Sequence, residues 1–519
     1  MNSFINPRKF IFFFATAPVV VLFLSQLFST ELPEKVRLAS GATLEWHECT
    51  FKTSFFQVAF CANYHTAEYV NKVEIVLPVV ILRKRFSHDD SLSPLIYLNG
   101  GPGYASGLDN TWIHYWWDWK SDIGWRGDII LFDQRGTGLS TPRLHCDRIL
   151  PMAEKILPQH LTFDAEQSVW HKLTLECIAE IKQQGFSFGF LTTQRSAKDV
   201  MGIMQSVAEA MKYQHYTVYG VSYGTRLLLE VIRQNKNNTR LIDNVILDSV
   251  YPLSVEAILA YPEQTQSILD LIINGCRRDN QCHAKWPDLK NTLLSLLEQL
   301  ETNPVKLIVS HPADSDKPIQ VTVNDHRLMG ILLNALYYWN LIEDLPLIIN
   351  EAKEGDHDAL KPLVQAFVDM MLDDQMEDMT YLAVECADQS ALISRDDYVK
   401  EVARYPQVEK YTRSVWDYEV CKDWPVHAAT VMKRAVKSDI PALILSGEYD
   451  PVTPVVWARR VSQKFNNGQW HVFPGIGHGV LLSDECAVEV TQSFIMNPKR
   501  LDKPECLDYL YDISFNLGD

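Results

Sequence analysis

The sequence has no long run of basic residues, no C-x-x-C or similar close spacing among its cysteines, no internal repeat and no low-complexity stretch. Each absence removes a class of protein. Holding a phosphate backbone needs a concentrated basic face, and a formal charge of −17 over 519 residues argues against nucleic acid as a partner. Cysteines without close spacing do not make a zinc knuckle or ribbon, so no metal is expected. The absence of repeats excludes solenoids and propellers. The stretch LIYLNGGPGYASG, Leu95 to Gly107, is glycine-rich but lacks the Lys and Ser/Thr of a phosphate loop and the full spacing of a dinucleotide fingerprint.

What remains is a chain with 47% hydrophobic and 22% charged residues, long enough to bury a large core in more than one lobe. Arg8 and Lys9 precede an uncharged apolar run from Phe10 to Leu24, and no acid occurs before Glu31. That is the layout of an export signal, although an A-x-A-like cleavage site is missing near Ser29. The run is almost long enough to span a bilayer, so the alternatives are a cleaved signal and a retained anchor, the only membrane contact expected. Ten cysteines fit export, because an oxidising compartment lets an even number pair completely. The simplest pairing joins neighbours: Cys49 with Cys61, Cys146 with Cys177, Cys276 with Cys282, Cys386 with Cys421, and Cys486 with Cys506. Asn237-Asn238-Thr239 is a lone glycosylation sequon.

Short β-rich runs, VEIVLPVVIL, PLIYLNG, DIILFDQRG, YTVYGVS and NVILDS, alternate with helical stretches near Ser196–Met211 and from Thr225. Almost wholly apolar strands separated by helices predict a mostly parallel sheet covered on both faces. From about Tyr261 to Val436 helical periodicity takes over, interrupted by one strand pair around KLIVSHPADSDKPIQVTV. IPALILSGEYD and QWHVFPGIGHG then restore the strand–loop rhythm. The expected organisation is a signal or anchor over 1–30, a core over 31–260, a helical cap insertion over 261–436 and the rest of the core over 437–519.

Gly220-Val221-Ser222-Tyr223-Gly224 fits G-x-S-x-G at a strand end with a helical run behind it, the context of a nucleophile elbow. A serine hydroxyl needs a base, and the base needs a group to orient it. Asp450, after IPALILSGEY, and His478, in a glycine-flanked loop after the next strand, follow in the order acid then histidine. Asp248, at the end of NVILDS, is the competing acid.

Together with Gly100-Gly101-Pro102-Gly103, Asp133-Gln134-Arg135-Gly136-Thr137-Gly138-Leu139-Ser140, Asp450-Pro451-Val452-Thr453-Pro454 and Gly477-His478-Gly479, these motifs resemble the proline iminopeptidase and tripeptidyl aminopeptidase branch of the α/β-hydrolases. The TAP-like C-terminal pattern matches at Cys421, Trp424-Pro425, Cys486 and Cys506. The resemblance extends from about Trp46 onward and implies an α/β-hydrolase fold with a largely helical cap. It also implies an oxyanion hole made by the N–H groups of Gly101 and Tyr223, a Ser222–His478–Asp450 triad, and no metal or organic cofactor. The chain departs from the family pattern at Asn99, where histidine is usual. An amide can tie the loop in place but carries no charge.

An aminopeptidase must recognise a free ammonium group, and Glu385 and Asp388 in AVECADQ are the candidate carboxylates. Arg135 reads as an ion-pairing scaffold residue. Trp112, Trp116 and Trp119, at helical spacing, read as core or as cleft lining. The expected activity is an exported serine aminopeptidase, periplasmic or secreted, releasing short N-terminal units from peptides with a free N-terminus. An esterase or lipase-like hydrolase and an inactive hydrolase-fold binding protein are the alternatives. The sequence is silent on oligomeric state.

Overall fold

The computed structural model of the protein describes residues 32–235, 241–389, 394–413, 416–421, 434–481, 483–498 and 504–518. The N-terminal apolar run, the sequon at 237–239 and the pair Trp424-Pro425 lie outside these residues. Ten strands form one sheet in the order β1-β2-β3-β4-β6-β5-β7-β8-β11-β12. The ranges are β1 Lys35–Arg37, β2 Thr43–His47, β3 Gln57–Val70, β4 Val73–Lys84, β5 Leu95–Leu98, β6 Ile129–Phe132, β7 Tyr216–Val221, β8 Ile242–Asp248, β11 Ala442–Gly447 and β12 Gly468–Phe473. The first four strands and the β4–β6 junction are antiparallel, and the six strands from β6 to β12 run parallel.

Composition explains this division. Every residue of β5 (LIYL), β6 (IILF) and β11 (ALILSG) is buried, as it must be where helices cover both faces. In β3 exposed and half-buried positions persist along the strand. Within the antiparallel start β4 contains the apolar run VEIVLPVVIL, whereas the 14-residue β3 shows no such run because polar residues interrupt it.

Between β8 and β11 the chain passes through helices from Ala257–Arg278 to Trp416–Cys421 and one hairpin, β9 Val305–His311 with β10 Asp314–Val323. This layer has its own core, in which Leu293, Leu296, Leu300, Leu332, Leu363 and Val364 are fully buried. Burying one such side chain contributes about 1.5–3 kcal/mol before entropy is counted. Two further helices, Ile149–Ile156 and Phe163–Gln183, belong beside it although they lie far upstream in sequence. Buried Arg327 joins them, donating to the carbonyls of Ile156 (2.8 Å) and Leu157 (2.7 Å) and to Glu166 (3.0 Å).

All ten cysteines are paired, neighbour with neighbour, as Cys49–Cys61, Cys146–Cys177, Cys276–Cys282, Cys386–Cys421 and Cys486–Cys506. Among the described residues no helix is long and apolar enough to cross a membrane.

Candidate active site

At the end of β7 the backbone turns sharply, and Ser222 adopts φ 56°, ψ −124° before the helix Tyr223–Gln234 begins. A non-glycine residue held there stores strain of order 1–3 kcal/mol, which its neighbours must offset. They do so by bonding both ends of the turn. The Ser222 N–H donates to the Asp248 carbonyl at 3.0 Å, and the Ser222 carbonyl accepts the N–H (2.9 Å) and hydroxyl (2.6 Å) of Thr225. The flanking glycines are needed for space. A Cβ on Gly220 would lie 2.6 Å from the Gly224 carbonyl oxygen, and one on Gly224 would lie 2.0 Å from that of Leu98. The serine is half-buried, and its hydroxyl has no hydrogen-bond partner among the described residues.

β11 and β12 deliver the acid and the base. His478 Nδ1 lies 2.8 Å from Asp450 Oδ2. Asp450 also accepts the N–H groups of Val452 (2.9 Å) and Thr453 (2.8 Å) and the Thr453 hydroxyl. Burial opposes its charge, yet His478 and these hydrogen bonds outweigh burial and hold the carboxyl below its ordinary value. Burial alone would lower the His478 value, but the Asp450 carboxylate, helped by Asp248, raises it. The acceptor at Nδ1 fixes the tautomer that leaves Nε2 free as a base.

Asp248, the competing acid, has a different place. Its carboxylate accepts the N–H groups of Val480 (2.9 Å) and Leu481 (3.0 Å) and the Tyr219 hydroxyl (3.0 Å). The next residue, Ser249, accepts the Gly479 N–H at 2.9 Å. Asp248 and Ser249 thus hold both the serine turn and the histidine loop.

The glycine loop after β5 lies against the serine. A Cβ on Gly100 would sit 3.2 Å from Ser222 Cβ and 3.8 Å from its Oγ. Neither the Gly101 N–H nor the Tyr223 N–H has a hydrogen-bond partner among the described residues. Asn99 binds the two ends of this loop: Oδ1 accepts the Gly100 N–H (2.8 Å) and the Tyr97 hydroxyl (3.0 Å), while Nδ2 donates to the Ala105 carbonyl (2.7 Å). Asp133 holds the following turns by accepting from the N–H groups of Ser106 (2.7 Å) and Leu139 (2.8 Å), and burial pushes its pKa up to about 6. Arg135 is buried in ion pairs with Asp199 and Glu68, a scaffold role.

The helical layer closes down on the same loop. Glu377 N–H donates to the Gly103 carbonyl (3.0 Å), Ala105 N–H to that of Gln375 (2.9 Å), and the Thr380 hydroxyl to that of Gly136 (2.8 Å). These contacts seat the helix Asp378–Gln389, which carries both candidate amine-binding carboxylates. The structure treats the two differently. Asp388 is buried, and its Oδ2 takes Arg226 (3.2 Å) and the Thr193 hydroxyl (2.5 Å), while Oδ1 has no hydrogen-bond partner among the described residues and burial raises the carboxyl pKa despite Arg226. Glu385 is half-buried, with the Tyr251 hydroxyl 3.2 Å from Oε2. Trp116 and Trp119 are packed in the core against Tyr97 and Tyr219, whereas Trp112 is 46% exposed.

Two site residues escaped the sequence reading. Thr453, which caps Asp450, sits in the quoted DPVTP motif, and a carboxylate three residues before a threonine is a recognisable turn signal. Tyr337, whose ring centroid lies 4.8 Å from that of His478, has no such signal. It arrives there because Gly477 lets the Leu336 carbonyl approach, to 1.9 Å of where a Cβ would be.

Residues 93–283 match the family described as alpha/beta hydrolase fold, and residues 409–505 match the TAP-like protein family. YuaR of Escherichia coli (strain K12), named only as a presumptive hydrolase, is 21% identical over 463 residues, 85% of each chain. Among solved structures, a thermophilic esterase from Thermogutta terrifontis aligns with TM-score 0.34 and 12% identity over 82% of this chain and 95% of that one. The proline iminopeptidase of Mycobacterium smegmatis aligns with TM-score 0.32 and 15% identity over 83% and 96%. With a serine turn, an acid and a histidine at the ends of its parallel strands, the chain has the α/β-hydrolase fold, and its C-terminal part resembles the TAP-like proteins.

Proposed function

We propose that the protein is an exported serine exopeptidase that removes short N-terminal units from peptides with a free amino terminus. The observation that carries this reading is the Asp450–His478 pair at 2.8 Å, on the strand ends beside a strained Ser222 that lies against the glycine loop, with the N–H groups of Gly101 in that loop and of Tyr223 behind the serine unpartnered among the described residues. In this reading His478 Nε2 takes the proton as Ser222 Oγ attacks the scissile carbonyl, then returns it to the leaving amine. Water releases the acyl group by the reverse sequence. The N–H groups of Gly101 and Tyr223 receive the oxyanion. Losing one such donor costs about 3–4 kcal/mol of transition-state stabilisation. No metal or organic cofactor enters these steps.

The substrate ammonium is assigned to Glu385, which is half-buried, and not to Asp388, which is buried and hydrogen-bonded to Arg226. A carboxylate reserved for a cation disfavours N-blocked peptides, whose amide would leave it unpaired. Five disulfides support folding in an oxidising compartment, and hence export.

Hydrolysis of unblocked peptide anilides, N-blocked anilides and short acyl esters tests the proposal. Unblocked peptides are expected to be preferred, with kcat falling roughly 10⁴–10⁶-fold in Ser222→Ala. A preference for esters with no use of a free amine would make the protein an esterase, and wild type that reacts with a serine probe no better than Ser222→Ala would make it a binding protein.

A further inference from the structure

At one end of the antiparallel strands, where β3 begins and β4 finishes, three phenylalanines stand in water. Phe55, Phe56 and Phe86 are 69%, 66% and 69% exposed and pack on one another with ring centroids 5.6–6.0 Å apart. Their backbones are fixed, since the Arg85 N–H donates to the Phe56 carbonyl at 2.9 Å and Gln57 pairs with Lys84. Large apolar side chains gathered on the surface mark a contact with something, because water disfavours such a patch.

The charges carried by the two segments that hold them are of one sign. FKTSFFQ (51–57) and RKRFS (83–87) contain Lys52, Arg83, Lys84 and Arg85 and no acid, in a protein of net charge −17. The Arg85 guanidinium lies 5.3 Å from the Phe55 ring centre, and Arg83 is engaged with Asp128. Two acids follow the second segment, Asp89 at 3.9 Å from Arg126 and the exposed Asp90 at 3.0 Å from His88.

The same end of the sheet is where residues 1–31, with the apolar run Phe10–Leu24, join the described chain. Leu32 lines a cavity of about 440 Å³ together with Trp46, Phe51, Phe60 and the Cys49–Cys61 disulfide, and the loop from Phe51 leads on to Phe55. Aromatic rings surrounded by Lys and Arg are the composition that lies in a lipid interface, with rings among the acyl ends of the headgroups and cations on the phosphates.

We propose that this patch docks the protein on an anionic phospholipid surface. A second copy of the chain is a poorer occupant, because a two-fold contact would set Lys52, Lys84 and Arg85 against their own counterparts. An anionic bilayer would repel this acidic molecule as a whole and attract this basic end, so charge also orients it. The docking is independent of the chemistry at Ser222.

The test uses the full chain carrying Ser87→Cys, which keeps all three phenylalanines and adds a single thiol to a chain whose ten cysteines are paired. An environment-sensitive dye at position 87 is expected to shift to the blue with phosphatidylglycerol vesicles and to be quenched by doxyl-labelled lipid. The same dye at Ile308→Cys, on exposed β9, is expected not to respond. Adding Phe55→Ser and Phe86→Ser is expected to weaken vesicle binding roughly tenfold or more while leaving the thermal midpoint unchanged. Protein that sediments with vesicles while the dye stays in water would overturn the proposal, since the N-terminal run alone would then be holding it. So would an equal response to phosphatidylcholine, or a shift that appears with protein concentration and no vesicles.

Discussion

His478 is held above the ordinary histidine value because Asp450 and Asp248 together outweigh the effect of burial. A general base works only when unprotonated, so a raised pKa extends the inactive, protonated form to higher pH. The acid limb of kcat/KM is therefore expected above the value of about 6.5 that an unperturbed imidazole would give. Asp450→Asn removes the anion and the acceptor at Nδ1. It should lower kcat by about 10⁴ and move that limb downward, both read from a pH–rate profile. Asp248→Asn tests a subtler role. Asp248 does not touch the imidazole but accepts N–H groups two and three residues beyond it, so the variant should lose roughly 10–100-fold in kcat as the loop loosens. The acid limb should also fall, because one anion near His478 is gone. A rate loss with an unmoved limb would reduce Asp248 to a structural support.

Among elements, the contrast between two glycines separates space from backbone conformation. Gly224→Ala places a methyl 2.0 Å from the Leu98 carbonyl and must push the helix Tyr223–Gln234 off β5. A cost of about 1–3 kcal/mol and a large loss of activity are expected, because Ser222 rides on that helix. Gly355 ends the helix Leu345–Glu354 at φ 110° with nothing within 4 Å of a Cβ, so Gly355→Ala should cost about 1–2 kcal/mol of strain and leave kcat unchanged. Thermal unfolding beside steady-state rates distinguishes the two. Such elements were legible because their determinants are local: the elbow lies within five residues, and β5 and β6 announce themselves as unbroken apolar runs. The helices Ile149–Ile156 and Phe163–Gln183 were not, since what places them is Arg327, more than 140 residues further on.

Across the whole molecule, buried charges join segments that sequence keeps apart. Arg135, in the turn after β6, pairs with Asp199 on the helix Thr193–Met211 (2.7 Å) and with Glu68 near the end of β3 (2.8 Å). Arg135→Ala would leave Asp199 buried without its counterion and should cost about 3–5 kcal/mol, read as a shift in the urea midpoint at constant slope. Arg135→Ala should affect activity only through the folded fraction, because the ion pairs are scaffold.

The sequence alone determined the parallel sheet, the serine turn and the order serine–acid–histidine, and it made neighbour pairing the simplest arrangement of the cysteines. Each of these is written in short-range pattern: apolar period, glycine spacing, or proximity along the chain. Only the tertiary structure decided which of two strand-end acids meets His478, which of two cap carboxylates hydrogen-bonds the buried Arg226, and that the Tyr337 ring lies against the imidazole. Those outcomes depend on distances between residues tens to hundreds of positions apart, which packing sets and local pattern does not record.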